Sequence, residues 1–230
     1  MSAARPDPDE EARRLAAESL ADDEPTGWFE RLYVAADEGE TTVPWDRGAP
    51  HPLLVEWATA RGLEGRRRRA IVVGSGLGED AEYLAEMGFA TLAFDISATA
   101  VRSARERFPT STVEYLTADL FAAPAEWRSA FDLVVEVFTV QALPDELRPL
   151  ATEAVADLVA PGGTLIVVAA ARGEGDGPVQ GPPWPLTRGE VEAFGSGGLR
   201  AVRIENVGHP GDPAARRWRA EFSRPAEPAA

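Results

Sequence analysis

The 230-residue sequence contains no cysteine and no lysine, and it has only two histidines, His51 and His209. Without cysteine the chain can form no disulfide, thiolate nucleophile or thiolate metal site. Without lysine it can form no Schiff base and no Walker phosphate loop, since both need an amine side chain. Two histidines far apart in sequence cannot form a histidine cluster and give little support to a Ser-His-Asp triad. We therefore predict no metal site.

Positive charge is also scarce, because 23 basic residues face 38 acidic ones and the formal net charge is −15. Such a chain repels a polyanion that must be held by its phosphates, and it repels an anionic membrane surface. No apolar run approaches the roughly 18 residues that a membrane helix needs. We therefore predict a cytoplasmic monomer or homodimer whose partners include neither nucleic acid nor membrane.

Hydrophobic residues make up 44% of the chain, enough for the core of one α/β domain. The apolar run at 71–73 leads into three alternate glycines, Gly74, Gly76 and Gly78, with Ser75 among them, and a helical pattern follows. Glycines at this point permit a tight turn and a close approach of backbone to a ligand. Such a turn also occurs where no ligand binds, so its meaning depends on the residues that follow.

Two acids follow the next two apolar runs. Asp95 ends the run at 91–95 and precedes Ile96, and Asp119 and Leu120 come after the run at 113–117. An acid at the end of the second strand of such a unit can accept hydrogen bonds from both ribose hydroxyls. One after the third strand could accept from an adenine amino group. Either acid could instead cap a helix or form a turn. With the glycine turn, the pair favours a nucleotide-like cofactor site.

From residue 70 onward the pattern alternates strands and helices. It predicts strands at 70–73, 90–95, 113–117, 131–137 and 163–170, and helices at 79–87, 97–108, 144–158 and 187–194. Apolar strands between helices indicate a buried parallel sheet with helices on both faces. Two last strands, near 199–207 and 216–223, form a hairpin. The predicted fold is α/β: a Rossmann-like sheet of seven strands, mostly parallel, with a C-terminal antiparallel hairpin.

The region before the sheet predicts three helices and a loop. The helices lie at 9–20, after a possible cap at Thr26, and at 53–61, while the loop at 37–52 is rich in glycine, threonine and proline. His51 precedes Pro52 and is interpreted as a helix-start residue rather than a base. The Pro- and Ala-rich ends at 1–8 and 224–230 are predicted to be frayed.

Residues 25–224 resemble the class I S-adenosylmethionine-dependent methyltransferases. The glycine turn, Asp95, Asp119 and the strand-end Glu136 fall where that family places its nucleoside contacts, and the final hairpin matches its seven-stranded sheet. An NAD-dependent oxidoreductase is the competing interpretation, but it usually spaces its glycines as G-x-G-x-x-G and needs a second domain. A non-catalytic binding or scaffold protein of the same fold is the third, since fold does not guarantee activity.

A narrower resemblance is to the thiopurine and thiol/halide methyltransferases. It rests on the segments Trp28 to Tyr33, Pro-Trp-Asp-Arg-Gly around Trp45, and Gly-Pro-Pro-Trp ending at Trp184. Thiopurine enzymes of the human type carry an arginine after the fourth strand, where this chain has Thr139-Val140-Gln141, which argues against anionic thiopurine-like substrates. The resemblance implies an N-terminal extension and cofactor lid at 1–62, a methyltransferase domain at 63–224 and a disordered tail at 225–230.

The same resemblance implies an enzyme of class EC 2.1.1 that transfers a methyl group from S-adenosylmethionine to a small molecule and leaves S-adenosylhomocysteine. Residues 25–50 would close over the cofactor as a lid; Asp46 in this segment is a further candidate. An oxygen acceptor would need a general base, with Glu136 as the candidate, whereas a thiolate or halide would not. The expected acceptor is small and largely apolar or aromatic, with sulfur, selenium or halide acceptors ahead of oxygen or nitrogen.

Two sets of site residues follow from these arguments. The expected cofactor contacts are Trp28, Tyr33, Trp45, Gly74, Ser75, Gly76, Gly78, Asp95, Ile96, Asp119, Leu120 and Glu136. The expected acceptor contacts are Phe138, Gln141, Arg172 and Trp184, with Val140 beside them and Arg172 as the single cation.

Overall fold

The computed structural model describes residues 7–177, 179, 181–209 and 212–226. Within these residues the chain forms seven α-helices and seven strands, joined in places by short 3₁₀ turns. In chain order they are α1 (Pro8–Ala21), α2 (Gly27–Asp37), α3 (Pro52–Ala60), β1 (Arg69–Val73), α4 (Glu79–Glu86), β2 (Ala90–Asp95), α5 (Ala98–Arg107), β3 (Glu114–Thr117), β4 (Phe131–Val137), α6 (Arg148–Asp157), β5 (Val159–Ala170), α7 (Arg188–Glu192), β6 (Arg200–His209) and β7 (Asp212–Ser223).

All seven strands belong to one sheet, in the order β3-β2-β1-β4-β5-β7-β6. Strands β1 to β5 pair in parallel, and β7 pairs antiparallel with both β5 and β6. The predicted seven-stranded sheet with its closing hairpin is therefore confirmed. From β1 the chain first builds toward β3 and then returns to build from β4, so the order reverses between β1 and β4. In open α/β sheets, ligands bind at such a reversal, beyond the carboxyl ends of the strands.

Alternate residues of each central strand enter two separate cores, one on each face of the sheet. In β1, Ile71 and Val73 pack on the face covered by α6 and α7, while Ala70 and Val72 pack against α3, α4 and α5. A strand directs successive side chains to opposite faces, so a strand buried on both sides must be apolar throughout. This is why the predicted strands appear as continuous apolar runs.

Several helices begin directly after a polar residue whose side chain caps them. The side chains of Asp7 and Ser97 accept backbone N–H groups of α1 and α5, as caps do. His51 precedes α3 and accepts the Leu53 N–H at Nδ1, so its predicted role as a helix-start residue is confirmed. Thr26 occupies the position before α2, but its side chain makes no capping hydrogen bond.

Several predicted boundaries move, and strand β7 begins at Asp212 instead of 216. Helix α6 begins at Arg148 instead of 144, because the Leu147 N–H bonds the Pro144 carbonyl in a separate turn. Strand β5 begins at Val159 instead of 163, where it pairs with Phe131 ahead of a bulge. Helix α7 ends at Glu192 and continues as a 3₁₀ turn. Residues 210 and 211 of the predicted hairpin connection, and 1–6 and 227–230 of the predicted frayed ends, lie outside the described residues.

In the described part of the chain, every helix is too short or too polar to span a bilayer.

Candidate functional site

A cavity of about 530 Å³ opens where the sheet order reverses, above the carboxyl ends of β1 and β4. It gathers residues from the glycine turn, from the ends of β2 to β4 and from the N-terminal segment. The predicted residues that line it are Trp28, Tyr33, Trp45, Gly74, Ser75, Gly76, Asp95, Ile96, Asp119, Leu120, Phe138 and Gln141, together with Asp46. Among the described residues, no group of three or more acidic or histidine side chains could hold a metal ion.

The floor of the cavity is the glycine turn, which leaves no room for a side chain at two positions. Gly74 has φ +60°, and a Cβ there would lie 2.5 Å from Oγ1 of Thr139. The same Oγ1 donates to the Val73 carbonyl at 2.9 Å and joins the turn after β4 to the end of β1. At Gly76, φ is +52° and a Cβ would lie 2.9 Å from the Tyr33 hydroxyl. A ligand can therefore approach bare backbone here.

Asp95 holds the turn in place from below. One carboxylate oxygen accepts the Gly76 N–H at 2.9 Å, and the other accepts the Ser97 N–H at 2.9 Å. The residue is 5% exposed, and burial raises the pKa of its carboxyl to about 6, although the backbone donors oppose that shift. Each carboxylate oxygen has a second lone pair. Asp95 therefore has acceptor capacity left for a ligand in the cavity.

Asp119 lies at the far end of the cavity, beyond β3. Its Oδ1 accepts the Phe121 N–H at 2.9 Å, so the turn-forming role that competed with a ligand role is present. The side chain is exposed on the cavity wall, and neighbouring Phe121 presents a 40% exposed ring. A carboxylate beside an exposed aromatic face can receive a flat heterocycle with an amino group.

Four aromatic side chains from the N-terminal segment cover the turn. The rings of Trp28 and Phe29 stack with centroids 4.0 Å apart, and Trp45 meets Trp28 edge-on at 6.1 Å. The Trp45 indole N–H donates to the Tyr33 hydroxyl at 2.8 Å. Burial and the nearby Asp95 charge raise the pKa of Tyr33 well above its usual value, so the hydroxyl keeps its proton. We call Trp28, Phe29, Tyr33 and Trp45 the aromatic cover.

Polar contacts fasten this segment to the helices beneath it. Glu30 accepts the Ser97 hydroxyl at 2.6 Å and the Thr99 hydroxyl at 2.8 Å, at the start of α5. At the other end of α5, Arg107 donates to Asp46 at 2.9 Å and also to Glu79, the first residue of α4. Helix α5 therefore contacts the N-terminal segment near both of its ends.

At the β4 end of the cavity, Phe138 occupies a left-handed backbone conformation, with φ +63°. The guanidinium carbons of Arg47 and Arg217 lie 5.4 Å and 5.5 Å from its ring centroid, and the His51 ring meets it edge-on at 5.1 Å. Asp80 lines the cavity nearby and accepts the His51 backbone N–H at 2.7 Å. Burial raises the pKa of the Asp80 carboxyl to about 6.

Glu136 lies beneath the cavity and is absent from its described lining. It is 1% exposed, and its Oε1 accepts the N–H groups of Thr139 and Val140 at 2.7 Å and 2.9 Å. Its Oε2 is buried without a hydrogen-bond partner in the described structure. Burial raises the pKa of this carboxyl to about 7. In this geometry the side chain shapes the turn that carries Phe138.

Four more predicted contacts lie away from the cavity lining. Gly78 has φ +99° at the start of α4, where a Cβ would collide with the Tyr115 hydroxyl. Arg172 pairs with Glu190 at 3.5 Å, so the expectation that it is the single cation of the site is corrected: Arg13, Arg47 and Arg217 line the cavity instead. The Trp184 ring faces the guanidinium of Arg148 at 5.7 Å. Val140, expected beside the acceptor, is buried in the core.

Several residues that line the cavity were not among the candidates predicted from the sequence. Asp80 comes two residues after Gly78, and Arg47 belongs to the Pro-Trp-Asp-Arg-Gly segment. Both residues are therefore next to, or within, motifs that the sequence already indicated as functional. Arg217 lies in β7 without any local motif, and only the pairing of β7 with β5 brings it to the cavity. Pro182 and Pro183 of the predicted Gly-Pro-Pro-Trp stretch do line the cavity, although Trp184 does not.

Comparison with known proteins agrees with this geometry. The family model described as Thiopurine S-methyltransferase (TPMT) matches residues 36–217. A probable thiol methyltransferase 2 of Arabidopsis thaliana is 30% identical over 178 residues, covering 75% of this chain and 73% of its own length. Thiocyanate methyltransferase 1 of Brassica oleracea is 30% identical over 205 residues, with coverages of 86% and 83%.

A solved structure shares the fold at lower sequence identity. It is the 1,6-didemethyltoxoflavin-N1-methyltransferase of Burkholderia thailandensis with bound 1,6-didemethyltoxoflavin and S-adenosylhomocysteine. Its TM-score is 0.65 at 16% identity, and the match covers 98% of this chain and 93% of that one. The findings favour a methyltransferase over an oxidoreductase or a scaffold protein. The chain belongs to the thiopurine S-methyltransferase family and is an S-adenosylmethionine-dependent methyltransferase that acts on a small molecule.

Proposed function

We propose that this methyltransferase acts on the sulfur of small thiols, which react as thiolates. The observation that carries the proposal is the position of Glu136, the best-placed candidate base, near the carboxyl end of β4. Its carboxylate is turned into the core, and one oxygen is engaged by two backbone N–H groups. An acceptor that ionises by itself near neutral pH suits a site without a base there, and a thiol does so far more readily than a phenol or alcohol.

The cofactor, when bound, supplies a methyl group already activated on a sulfonium. For its amino-acid end we propose the bare backbone of Gly74 and Gly76, with the Asp80 carboxylate facing the ammonium group. Asp95 would accept the ribose hydroxyls, and Asp119 the adenine amino group. The buried, paired side chains and the absent Cβ atoms fit a zwitterion joined to a nucleoside.

The aromatic cover would surround the sulfonium, since a cation gains from a nearby aromatic face. Ser75, Ile96 and Leu120 line the same stretch of cavity and complete the proposed contacts. Gln141 is held by its Oε1, which accepts the Ala170 N–H, so it can form a fixed wall for the acceptor. Residues 25–50 would act as the lid and exclude water while the acceptor sulfur is aligned with the methyl carbon, which is mainly a proximity effect.

The related proteins support sulfur as the acceptor atom, because the two plant relatives are named for thiol and thiocyanate. Expectations from composition stay predictions: a cytoplasmic monomer or homodimer, without nucleic acid or membrane partners. The domain limits at 1–62, 63–224 and 225–230 stay predictions as well.

The first prediction concerns Asp95. Replacement by Asn keeps the size of the side chain but removes one acceptor and the charge, so affinity for S-adenosylhomocysteine should fall about tenfold or more, as for hydrogen bonds worth roughly 0.5–3 kcal/mol each. The carboxyl pKa is raised to about 6, so protonation as pH falls through 6 should weaken wild-type binding. Asp95→Asn should lose part of this dependence, and Asp80, whose carboxyl pKa is also raised to about 6, should keep the rest. Titration calorimetry measures both effects.

Asp132→Asn is the matched control, since Asp132 also accepts a backbone N–H, from Arg69 at 2.8 Å, and does not line the cavity. Its cofactor affinity should equal that of wild type. An unchanged dissociation constant for Asp95→Asn, with both variants folded, would refute the ribose assignment.

The second prediction concerns the ion pairs that Arg107 makes with Asp46 and Glu79. Arg107→Gln should speed release of S-adenosylhomocysteine about fivefold, as expected for partly exposed pairs worth about 1 kcal/mol, and should reduce the salt dependence of release. Stopped-flow tryptophan fluorescence measures the rate. Arg66→Gln, which removes an exposed pair with Glu64, serves as control and should release at the wild-type rate. Equal rates for both variants would contradict a role of Arg107 in lid closure.

The third prediction concerns the acceptor. With cofactor labelled in its methyl group, thiols should be methylated faster than phenols or amines, and tRNA should not be labelled. Glu136→Gln should keep the thiol rate, because the amide oxygen can still accept the Thr139 and Val140 N–H groups. Labelling of tRNA without any small acceptor would overturn the proposal. A different outcome would make Glu136 the base. The wild-type rate on thiols would rise as pH passes through 7, and Glu136→Gln would lower that rate and remove the rise.

A further inference from the structure

The turn after β4 supplies a long part of the cavity wall. The lining residues that it contributes are Phe138, Thr139, Gln141, Ala142 and Leu143. Two buried side chains of opposite charge hold this turn from outside the cavity. Glu136 accepts two N–H groups at its amino end, and Arg148 donates from Nε to the Leu143 carbonyl at its carboxyl end, at 2.9 Å. Both charges match the direction of the backbone dipoles in a helical turn. The position of this wall therefore depends on residues that do not line it.

Arg148 also holds the loop between β5 and α7. Its Nη1 donates to Glu190 of α7 at 2.7 Å, and its guanidinium carbon lies 5.7 Å from the centroid of the Trp184 ring. The Trp184 N–H bonds the Gln141 carbonyl at 2.9 Å, and the two residues before Trp184, 182 and 183, line the cavity. One side chain therefore fastens two stretches of cavity wall that are far apart in sequence.

Arg148 is costly to bury. It is 5% exposed, and its Nη2 is buried without a hydrogen-bond partner among the residues that the structure describes. Two carboxylates compensate its charge, those of Glu190 and Asp145, at 2.7 Å and 2.8 Å from Nη1. Burial opposes ionisation of Glu190, but hydrogen bonds from Thr187 and Arg148 together outweigh it and lower the carboxyl pKa. Since such a buried pair adds little to stability compared with a well-packed apolar side chain, its value lies in the geometry that it fixes.

We propose that Arg148 is a positioning residue for methyl transfer, which holds the turn after β4 and the loop before α7 in the relative position that aligns an acceptor with the methyl group. In the transfer, the lone pair of the acceptor must lie in line with the bond from the methyl carbon to the sulfonium sulfur. That bond breaks and leaves its electron pair on the sulfur. A small displacement of the wall would move the acceptor off this line, and misalignment slows such a reaction strongly. The inference goes beyond the proposed function, because it concerns the transfer and not the identity of the acceptor atom.

The test uses Arg148→Lys, which keeps a cation but loses the planar fork that reaches the Leu143 carbonyl and Glu190 together. With saturating S-adenosylmethionine, kcat/KM should fall about tenfold or more, by the same factor for propanethiol and benzenethiol, because Arg148 does not line the cavity. Affinity for S-adenosylhomocysteine should stay within about twofold of wild type, since the glycine turn and Asp95 are unchanged. An equal loss of affinity for S-adenosylhomocysteine would overturn the role in alignment.

Arg224→Lys is the matched control. Arg224 donates to the backbone carbonyls of Ala156, Val159 and Gly197, near the other end of α6, and does not line the cavity. Both variants should lose stability to heat, but Arg224→Lys should keep the wild-type kcat/KM. A wild-type kcat/KM in Arg148→Lys, or an equal kinetic loss in the two variants, would reduce Arg148 to a structural residue and overturn the inference.

Hydrogen exchange measured by NMR tests the inference without any acceptor. In Arg148→Lys the N–H groups of Leu143 and Trp184, which bond the carbonyls of Val140 and Gln141, should exchange about tenfold faster than in wild type, while those of β1 keep their rates. Unchanged exchange, or an equal increase throughout the sheet, would contradict a local role. If no thiol is methylated, the proposed function fails, and exchange alone decides the role of Arg148. If Arg148→Lys does not fold, Trp184→Leu takes its place, with the same exchange pattern expected.

Discussion

The buried carboxylate of Asp95 connects the parts on which the site depends. Through Gly76 it fixes the turn after β1, and through Ser97 it fixes the start of α5, where Glu30 of α2 accepts the hydroxyls of Ser97 and Thr99. One acid therefore joins the glycine turn, the second crossover helix and helix α2. Burial opposes its ionisation, and the backbone donors offset that cost. The hydrogen-bond capacity that remains faces the cavity, where a ribose would take it up.

The mostly parallel sheet and its C-terminal hairpin could be predicted from the sequence, because strands buried on both faces must be continuously apolar and glycine or polar residues end them. Part of the cavity lining was predictable for the same reason, since Gly74, Asp95 and Asp119 lie at a strand end or within two residues of one. Helix boundaries, such as the start of α6 at Arg148, were less predictable, because a local turn at Pro144 competes with the helix.

The β4 end of the cavity could not be predicted in the same way, because its residues meet only through tertiary structure. Arg217 reaches the cavity through antiparallel pairing of β7 with β5, and Arg47 through the packing of the segment between α2 and α3. Arg172 and Trp184 seemed suitable by proximity in sequence, yet Glu190 and Arg148 engage them elsewhere. Glu136 shows the same limit, since a strand-end acid can turn inward and satisfy the backbone of its own turn. The net charge of −15 gave no indication that three arginines, Arg13, Arg47 and Arg217, line the same cavity.

The central claim is that one cavity, at the reversal of strand order, holds the methyl donor at one end and the acceptor at the other. A crystal structure with bound S-adenosylhomocysteine tests this claim most directly. The account predicts the ribose on Asp95, the adenine beside Asp119 and Phe121, and the sulfur between the aromatic cover and Phe138, with the open side of the sulfur facing Arg217. A nucleoside bound at the Phe138 end, or a ligand bound outside this cavity, would contradict it.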